Sequence, residues 1–359
     1  MSIKSVLAIP FAKSVRKSIY RWANNPYKTQ EKVFNYLISR AKNTAFGKDH
    51  DFKNIKTYDD FKNRVQINDY EGLRPYVDRV VAGESDVLWK GKPLYFAKTS
   101  GTTSGAKYIP ISKESIPTHI KAARNALLLY IAETKDASFV NGKMIFLQGS
   151  PVLEDKNGVK LGRLSGIAAH YVPNYLLKNR LPSWETNCIE DWDTKVDKIV
   201  EETIDEDMSV ISGIPSWVQM YFEKLINKTG KTISEIFPNF NFFVYGGVNF
   251  EPYKNKFETL IGKKIDYIEL YPASEGFIAY QDSQKEKGML LQLNSGIFYE
   301  FIPADEFFNE NPTRISLKDV KKGINYVIIL NTSAGLWKPA LFSKRAPQLA
   351  LPNLNSLEW

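Results

Sequence analysis

One cysteine and three histidines in 359 residues leave few residues for soft-metal or disulfide chemistry. Cys188 cannot form an intrachain disulfide, and a lone cysteine reads as a small buried apolar side chain in a reducing compartment, here the cytosol. His50, His119 and His170 lie far apart and have no metal-ligand spacing. No stretch is long and apolar enough to span a bilayer. The run Val6–Ile9 is broken by Pro10 and followed by Lys13, Arg16 and Lys17, without a small-residue cleavage pattern, so no signal peptide is expected. Internal repeats and low-complexity segments are also missing. What is present, 43% hydrophobic and 13% aromatic residues, describes an ordered globular chain with one large core or two modest ones. The formal charge of +8 is spread among acidic runs such as Glu201-Glu202-Thr203-Ile204-Asp205-Glu206-Asp207. A dispersed excess of that kind steers anionic substrates without making a nucleic-acid surface.

Hydrophobic periodicity predicts a helical start to about Arg64, with Val33, Phe34, Leu37, Ile38 and Ala41 on one face of a helix over 30–42. Short strands are expected at 94–97, 108–111, 144–147, 208–211, 242–245 and 266–270. Helices are expected at about 114–132, capped by Ser112, and at 216–228 and 251–261. This alternation argues for an α/β fold with parallel strands in the core. Ligands in such sheets sit beyond the carboxyl ends of the strands, where Gly246-Gly247 and Ser274-Glu275 fall. Apolar segments at 290–293, 297–303 and 324–331 lack crossover helices, which suggests an antiparallel or barrel-like subdomain.

The segment Thr99-Ser100-Gly101-Thr102-Thr103-Ser104-Gly105-Ala106-Lys107 carries the chemistry. Gly101 and Gly105 free backbone N–H groups to converge on an anion, five hydroxyls add donors, and Lys107 adds a cation. Polyphosphate oxygens need that combination, although a glycine-rich hairpin turn would also satisfy the pattern. It is not a Walker A loop: three residues separate the glycines, and Tyr108 follows Lys107. A serine-hydrolase elbow is excluded too, because Ser104 lacks the first glycine of Gly-x-Ser-x-Gly.

The same segment resembles the ATP loop of adenylate-forming enzymes. In order along the chain stand Asp69-Tyr70-Glu71-Gly72-Leu73-Arg74-Pro75-Tyr76, Gly83-Glu84, Leu88-Trp89-Lys90-Gly91, Gly213-Ile214-Pro215-Ser216-Trp217 and Tyr271-Pro272-Ala273-Ser274-Glu275-Gly276. Together they are similar to the auxin-responsive acyl-acid amido synthetase family, with a bacterial member expected, from about Asn24 to Trp337. The resemblance implies the large N-terminal domain of the adenylate-forming fold over residues 1–337, with mainly parallel sheets flanked by helices. It also implies ATP and Mg2+ as cofactors, and small carboxylic acids and amines or amino acids as substrates. Neither nucleic acid nor membrane is an expected partner.

Carried over residue by residue, the resemblance makes Lys107 and Glu275 the catalytic positions, with Glu275 the magnesium ligand. Nucleotide contacts would come from residues 99–105, Lys107, Gly246, Gly247, Val248, Tyr271, Ser274 and Glu275, with Tyr271 and 246–248 against adenine. From the residues alone, Glu275 reads as an unremarkable surface glutamate, and a helix-entry turn is the alternative for Gly246-Gly247. The resemblance places the acyl pocket at Gly213–Trp217 and the helix after His119, while Trp217, Tyr130 and Leu127 read as plain core.

After Gly335-Leu336-Trp337 the family continues to a Gly-Asp whose carboxylate grips ribose, and then to a mobile C-terminal domain supplying a lysine. Residues 338–359 contain no Gly-Asp and read as an irregular, divergent tail. That change resembles a truncation or frameshift, so the expectation is an amido synthetase of impaired activity. The alternatives are an inactive remnant that still folds and a ligase using coenzyme A as acceptor.

Overall fold

The computed structural model describes residues 3–99, 107–286, 288–339 and 349–350. The helical start consists of α1 (Ile3–Ala23), α2 (Pro26–Ala41), α3 (Ala45–Asp49) and α4 (Tyr58–Arg64), followed by α5 (Tyr70–Val81). Helix α2 buries the predicted face, Val33, Phe34, Leu37, Ile38 and Ala41. It also buries Gln30, whose amide nitrogen donates to the Leu293 and Ile297 carbonyls at 2.9 Å each and whose oxygen accepts the Tyr299 N–H at 2.8 Å. A glutamine on the apolar face therefore ties the N-terminal helices to strands more than 260 positions away.

In chain order the strands are β1 (Tyr95–Thr99), β2 (Lys107–Ile111), β3 (Lys143–Phe146), β4 (Glu154–Lys156), β5 (Val159–Gly162), β6 (Arg180–Leu181), β7 (Met208–Gly213) and β8 (Phe242–Gly246). They continue with β9 (Asp266–Ala273), β10 (Gly276–Tyr280), β11 (Met289–Leu291), β12 (Ile297–Pro303), β13 (Ile315–Ser316), β14 (Tyr326–Thr332), β15 (Trp337–Pro339) and β16 (Leu349–Ala350). Three sheets result, ordered β2-β1-β5-β4, β16-β11-β10-β9-β8-β7-β3-β6 and β13-β12-β14-β15. The large sheet has the predicted parallel centre, with β6, β3, β7, β8 and β9 running the same way, and β1 and β5 at the middle of the first sheet are parallel too. Strand β9 reverses into β10 through Ser274-Glu275, so it extends past Tyr271 instead of ending there. The segment at 289–291 also departs from expectation, joining the large sheet while β12 and β14 pair antiparallel from Ile297↔Thr332 to Pro303↔Tyr326.

Helix α6 (Ile116–Thr134) starts two residues later than predicted, and Ser112 is not its N-cap. Ser112 Oγ instead accepts the Glu114 and Ser115 N–H groups and donates to the Ser333 carbonyl at 2.7 Å, pinning the helix entry to the turn after β14. The predicted helix at 251–261 is split into a 3-10 turn, Glu251–Tyr253, and an α-helix, Lys254–Ile261. Cys188 is half-buried at the end of a short helix, not a core residue. Among the described residues no helix is long and apolar enough to cross a membrane.

One motif that carried the resemblance, and the Gly335-Leu336-Trp337 after which the chain departs from the family, build the core. Trp337 is 2% exposed and lies among the rings of Phe46, Phe52 and Phe61, with centroids 5.8, 5.1 and 5.8 Å away. Gly335, at φ +79°, approaches so closely that a Cβ there would stand 2.4 Å from the Leu88 carbonyl oxygen. The Leu88-Trp89 and Gly335-Leu336-Trp337 segments thus lock against each other, a contact only glycine permits.

Candidate functional site

The carboxyl ends of β7, β8 and β9 converge. Gly246 pairs with Leu270, which sets Tyr271 beside the Gly246-Gly247 turn. A Cβ on Gly246 would lie 2.4 Å from the Leu270 oxygen, so the neighbouring strand alone already requires a glycine there. Gly247, exposed and at φ +86°, needs glycine for its backbone, and an added Cβ would meet only Ile214, at 3.7 Å. The turn after β7 therefore borders the turn after β8. Val248 is exposed, and Ser274 and Glu275 are half-buried at the tip of the β9–β10 hairpin.

Glu275 has company that sequence reasoning missed. His119, in the first turns of α6, is 5% exposed, and neither ring nitrogen has a hydrogen-bond partner among the described residues. Burial pushes its pKa down to about 4, opposed by the charge of Glu275. The Tyr271 phenol is pushed up, first by burial and then by Glu275 and Glu269. Burial likewise raises Glu269, whose carboxylate accepts from the Tyr245 hydroxyl at 3.4 Å. Tyr271, Glu275 and His119 thus form one electrostatic group beside Gly247. The signal that could have found His119 is its place on the first turns of the helix leaving the hairpin.

The β1–β2 hairpin belongs to the four-stranded sheet β2-β1-β5-β4. β1 and β2 pair antiparallel up to Thr99↔Lys107, so residues 100–106 connect two firmly registered strands, as expected. Ser100, Gly101, Thr102, Thr103, Ser104 and Gly105 lie outside the described residues. Lys107 Nζ sits 5.1 Å above the Tyr70 ring, and the Tyr70 oxygen accepts the Tyr108 N–H at 2.9 Å. Two further lysines flank the hairpin: Lys156, 5.9 Å from the Tyr108 ring, and Lys98, which pairs with Glu154 at 3.8 Å. The described contacts do not bring Lys107 and Glu275 together. β2 leads from the first to the entry of α6, whose His119 faces the second.

Of the residues named around the acyl pocket, Tyr130 is core, whereas Trp217 and Leu127 are half-buried at its edge and Ser216 is exposed. Tyr130 stacks on Phe242 at 4.1 Å and donates to Asp266 at 2.7 Å, and Trp217 packs on Trp192 at 4.1 Å. A cavity of about 390 Å³ lies at the opposite, amino ends of β3, β7 and β8, where Asp207, Asn239 and Lys263 are satisfied by one another or by the backbone. It has no link to the glycine turns, and the carboxyl ends of the strands are the better site on topological grounds. Among the described residues no group of three or more His, Cys, Asp or Glu could hold a metal. Magnesium takes one or two carboxylates and completes its shell with phosphate and water, so the missing cluster does not bear on the expectation for Glu275.

The fold matches that of known enzymes. An acyl acid amido synthetase, GH3.15, solved in complex with 2,4-DB, superposes with a TM-score of 0.75 at 15% identity, covering 92% of this chain and 67% of that one. A 2-hydroxyisobutyryl-CoA ligase in the postadenylation state gives 0.53 at 12% identity, covering 93% and 68%. In sequence, the jasmonoyl–L-amino acid synthetase JAR4 of Nicotiana attenuata is 22% identical over 348 residues, 77% of this chain and 59% of the relative. The indole-3-acetic acid-amido synthetase GH3.2 of Arabidopsis thaliana is 30% identical over 102 residues, 28% of this chain and 19% of the relative. The chain thus spans about three-fifths of JAR4 and about a fifth of GH3.2. Models of the GH3 family N-terminal domain and central domain match residues 15–187 and 290–341, together more than half of the sequence. This protein belongs to the GH3 family, and its fold matches those of an acyl acid amido synthetase and a coenzyme A ligase.

Proposed function

We propose that the chain is an ATP-dependent acyl-acid amido synthetase: it activates a small carboxylic acid as its adenylate and passes the acyl group to an amine or amino acid. Attack of a carboxylate on the α-phosphate requires two anions to be aligned and the leaving pyrophosphate to be neutralised. Residues 99–107 supply donors and a cation for the terminal phosphates, Glu275 holds Mg2+, and Tyr271 with 246–248 borders the base. The observation that carries the reading is the meeting of the Gly247 turn, Tyr271 and Glu275 at the carboxyl ends of parallel strands in a GH3-family chain. The test is ATP–pyrophosphate exchange across a panel of carboxylic acids, with amino acids, hydroxylamine and coenzyme A compared as acceptors. Lys107→Ala and Glu275→Gln should each lower exchange by roughly a hundredfold. Exchange that no acid stimulates, or variants as active as the parent, would refute the reading. Thioester formation in place of amide would favour the coenzyme A ligase.

A second reading has its own observation. Residues 338–359 contain no Gly-Asp. Without that carboxylate on the ribose the nucleotide is less well oriented, and in this reading the chain folds but binds ATP weakly, if at all, and turns over poorly. Exchange at the rate of a relative that carries the Gly-Asp would dismiss it.

A further inference from the structure

Tyr70 stands in a motif, Asp69–Tyr76, to which nothing in the proposed chemistry gives a role. It opens α5, where Asp69 caps the helix by accepting the Gly72 N–H at 2.9 Å. The cap fixes the first turn, and the side chain of Tyr70, 8% exposed, crosses from there to the end of the β1–β2 hairpin. Two contacts meet on that side chain. Its oxygen accepts the backbone N–H of Tyr108 at 2.9 Å, and its ring lies 5.1 Å beneath the ammonium of Lys107. The tyrosine thus grips the strand one residue after the loop and carries the side chain of the residue at the loop's exit.

We propose that Tyr70 is a positioning residue for polyphosphate binding, holding the Lys107 ammonium through its ring and the backbone of β2 through its phenol oxygen. This deepens the nucleotide reading above and rests on it. A lysine brings rotamer entropy that must be lost when it engages phosphate, and an aromatic face that pre-orders it reduces that loss. Burial, the largest influence on Tyr70, raises its pKa, so the ammonium rests on a neutral ring. Because the ammonium would serve the terminal phosphates, the effect should grow with the number of phosphates on the ligand and vanish for AMP.

The experiment measures binding of Mg-ATP and of AMP to the full chain by titration calorimetry, for the parent, Tyr70→Phe, Tyr70→Leu and Lys107→Ala. Thermal unfolding and circular dichroism confirm that each variant is folded. Tyr70→Leu is expected to weaken ATP roughly three- to tenfold and leave AMP unchanged, and Tyr70→Phe, which keeps the ring, to recover most of the loss. Equal weakening of ATP and AMP would mark a merely structural role and overturn the inference. So would Tyr70→Leu binding ATP like the parent while Lys107→Ala fails. If Lys107→Ala binds ATP as well as the parent, the nucleotide reading of the loop itself falls, and the role of Tyr70 with it.

Discussion

His119 shows how far one residue can be followed from burial alone. Its imidazole is enclosed, lacks a hydrogen-bond partner among the described residues, and has its pKa lowered from 6.5 to about 4. A group whose protonation the fold resists binds its proton more readily when unfolded. The sign follows: His119 leaves stability untouched above about pH 6.5, and stability is lost as pH falls from there toward 4. At pH 5 the loss should reach about 2 kcal/mol relative to neutral pH. Urea unfolding at pH 7 and pH 5 would measure it, and His119→Gln, which cannot titrate there, should flatten the difference. An unchanged difference in the variant would assign the acid sensitivity to other groups.

Between elements, the decisive polar contacts are those that cross from the N-terminal helices to the C-terminal strands. Glu300 on β12 is fully buried and takes two hydrogen bonds from Arg314, at 2.5 and 2.8 Å. The same guanidinium donates to the Val65 carbonyl at the end of α4 and lies over the Phe61 ring at 5.1 Å. Asn331 on β14 adds a third donor to the carboxylate, at 2.7 Å. Removing one partner of such a pair leaves a charge in the interior, which outweighs the modest net value of the intact bridge. Arg314→Met should therefore cost roughly 3–5 kcal/mol in urea unfolding. Adding Glu300→Gln to that variant should restore part of the loss, because the orphaned charge disappears. A double variant no better than the single one would locate the damage in the lost Val65 and Phe61 contacts.

Across the whole molecule, local periodicity was enough to read most strands of the parallel centre, the buried face of α2 and the hairpin around residues 100–106. What stayed illegible depended on distant partners. Gln30 looks polar until the Leu293, Ile297 and Tyr299 backbones surround it, and Tyr70 is one aromatic among many until Lys107 lies over it. Gly335-Leu336-Trp337 resembles a signpost to a nucleotide motif, yet its tryptophan fills a pocket built from α3, α4 and the turn between them. One core cluster thereby joins Val33 through Leu161 to Phe298, Leu336 and Trp337. The segments matched by the N-terminal and central family models, 15–187 and 290–341, thus meet in this cluster, although Leu293, Ile297, Tyr299, Phe301 and Leu330 of the second also pack in another. Units sharing a core unfold together, so tryptophan fluorescence and far-ultraviolet dichroism should report coincident transitions. Trp337→Ala should lower both midpoints together, by about 3–5 kcal/mol of stability. Separate transitions, with only one moved by the substitution, would show that the two segments fold independently despite the interlocked rings.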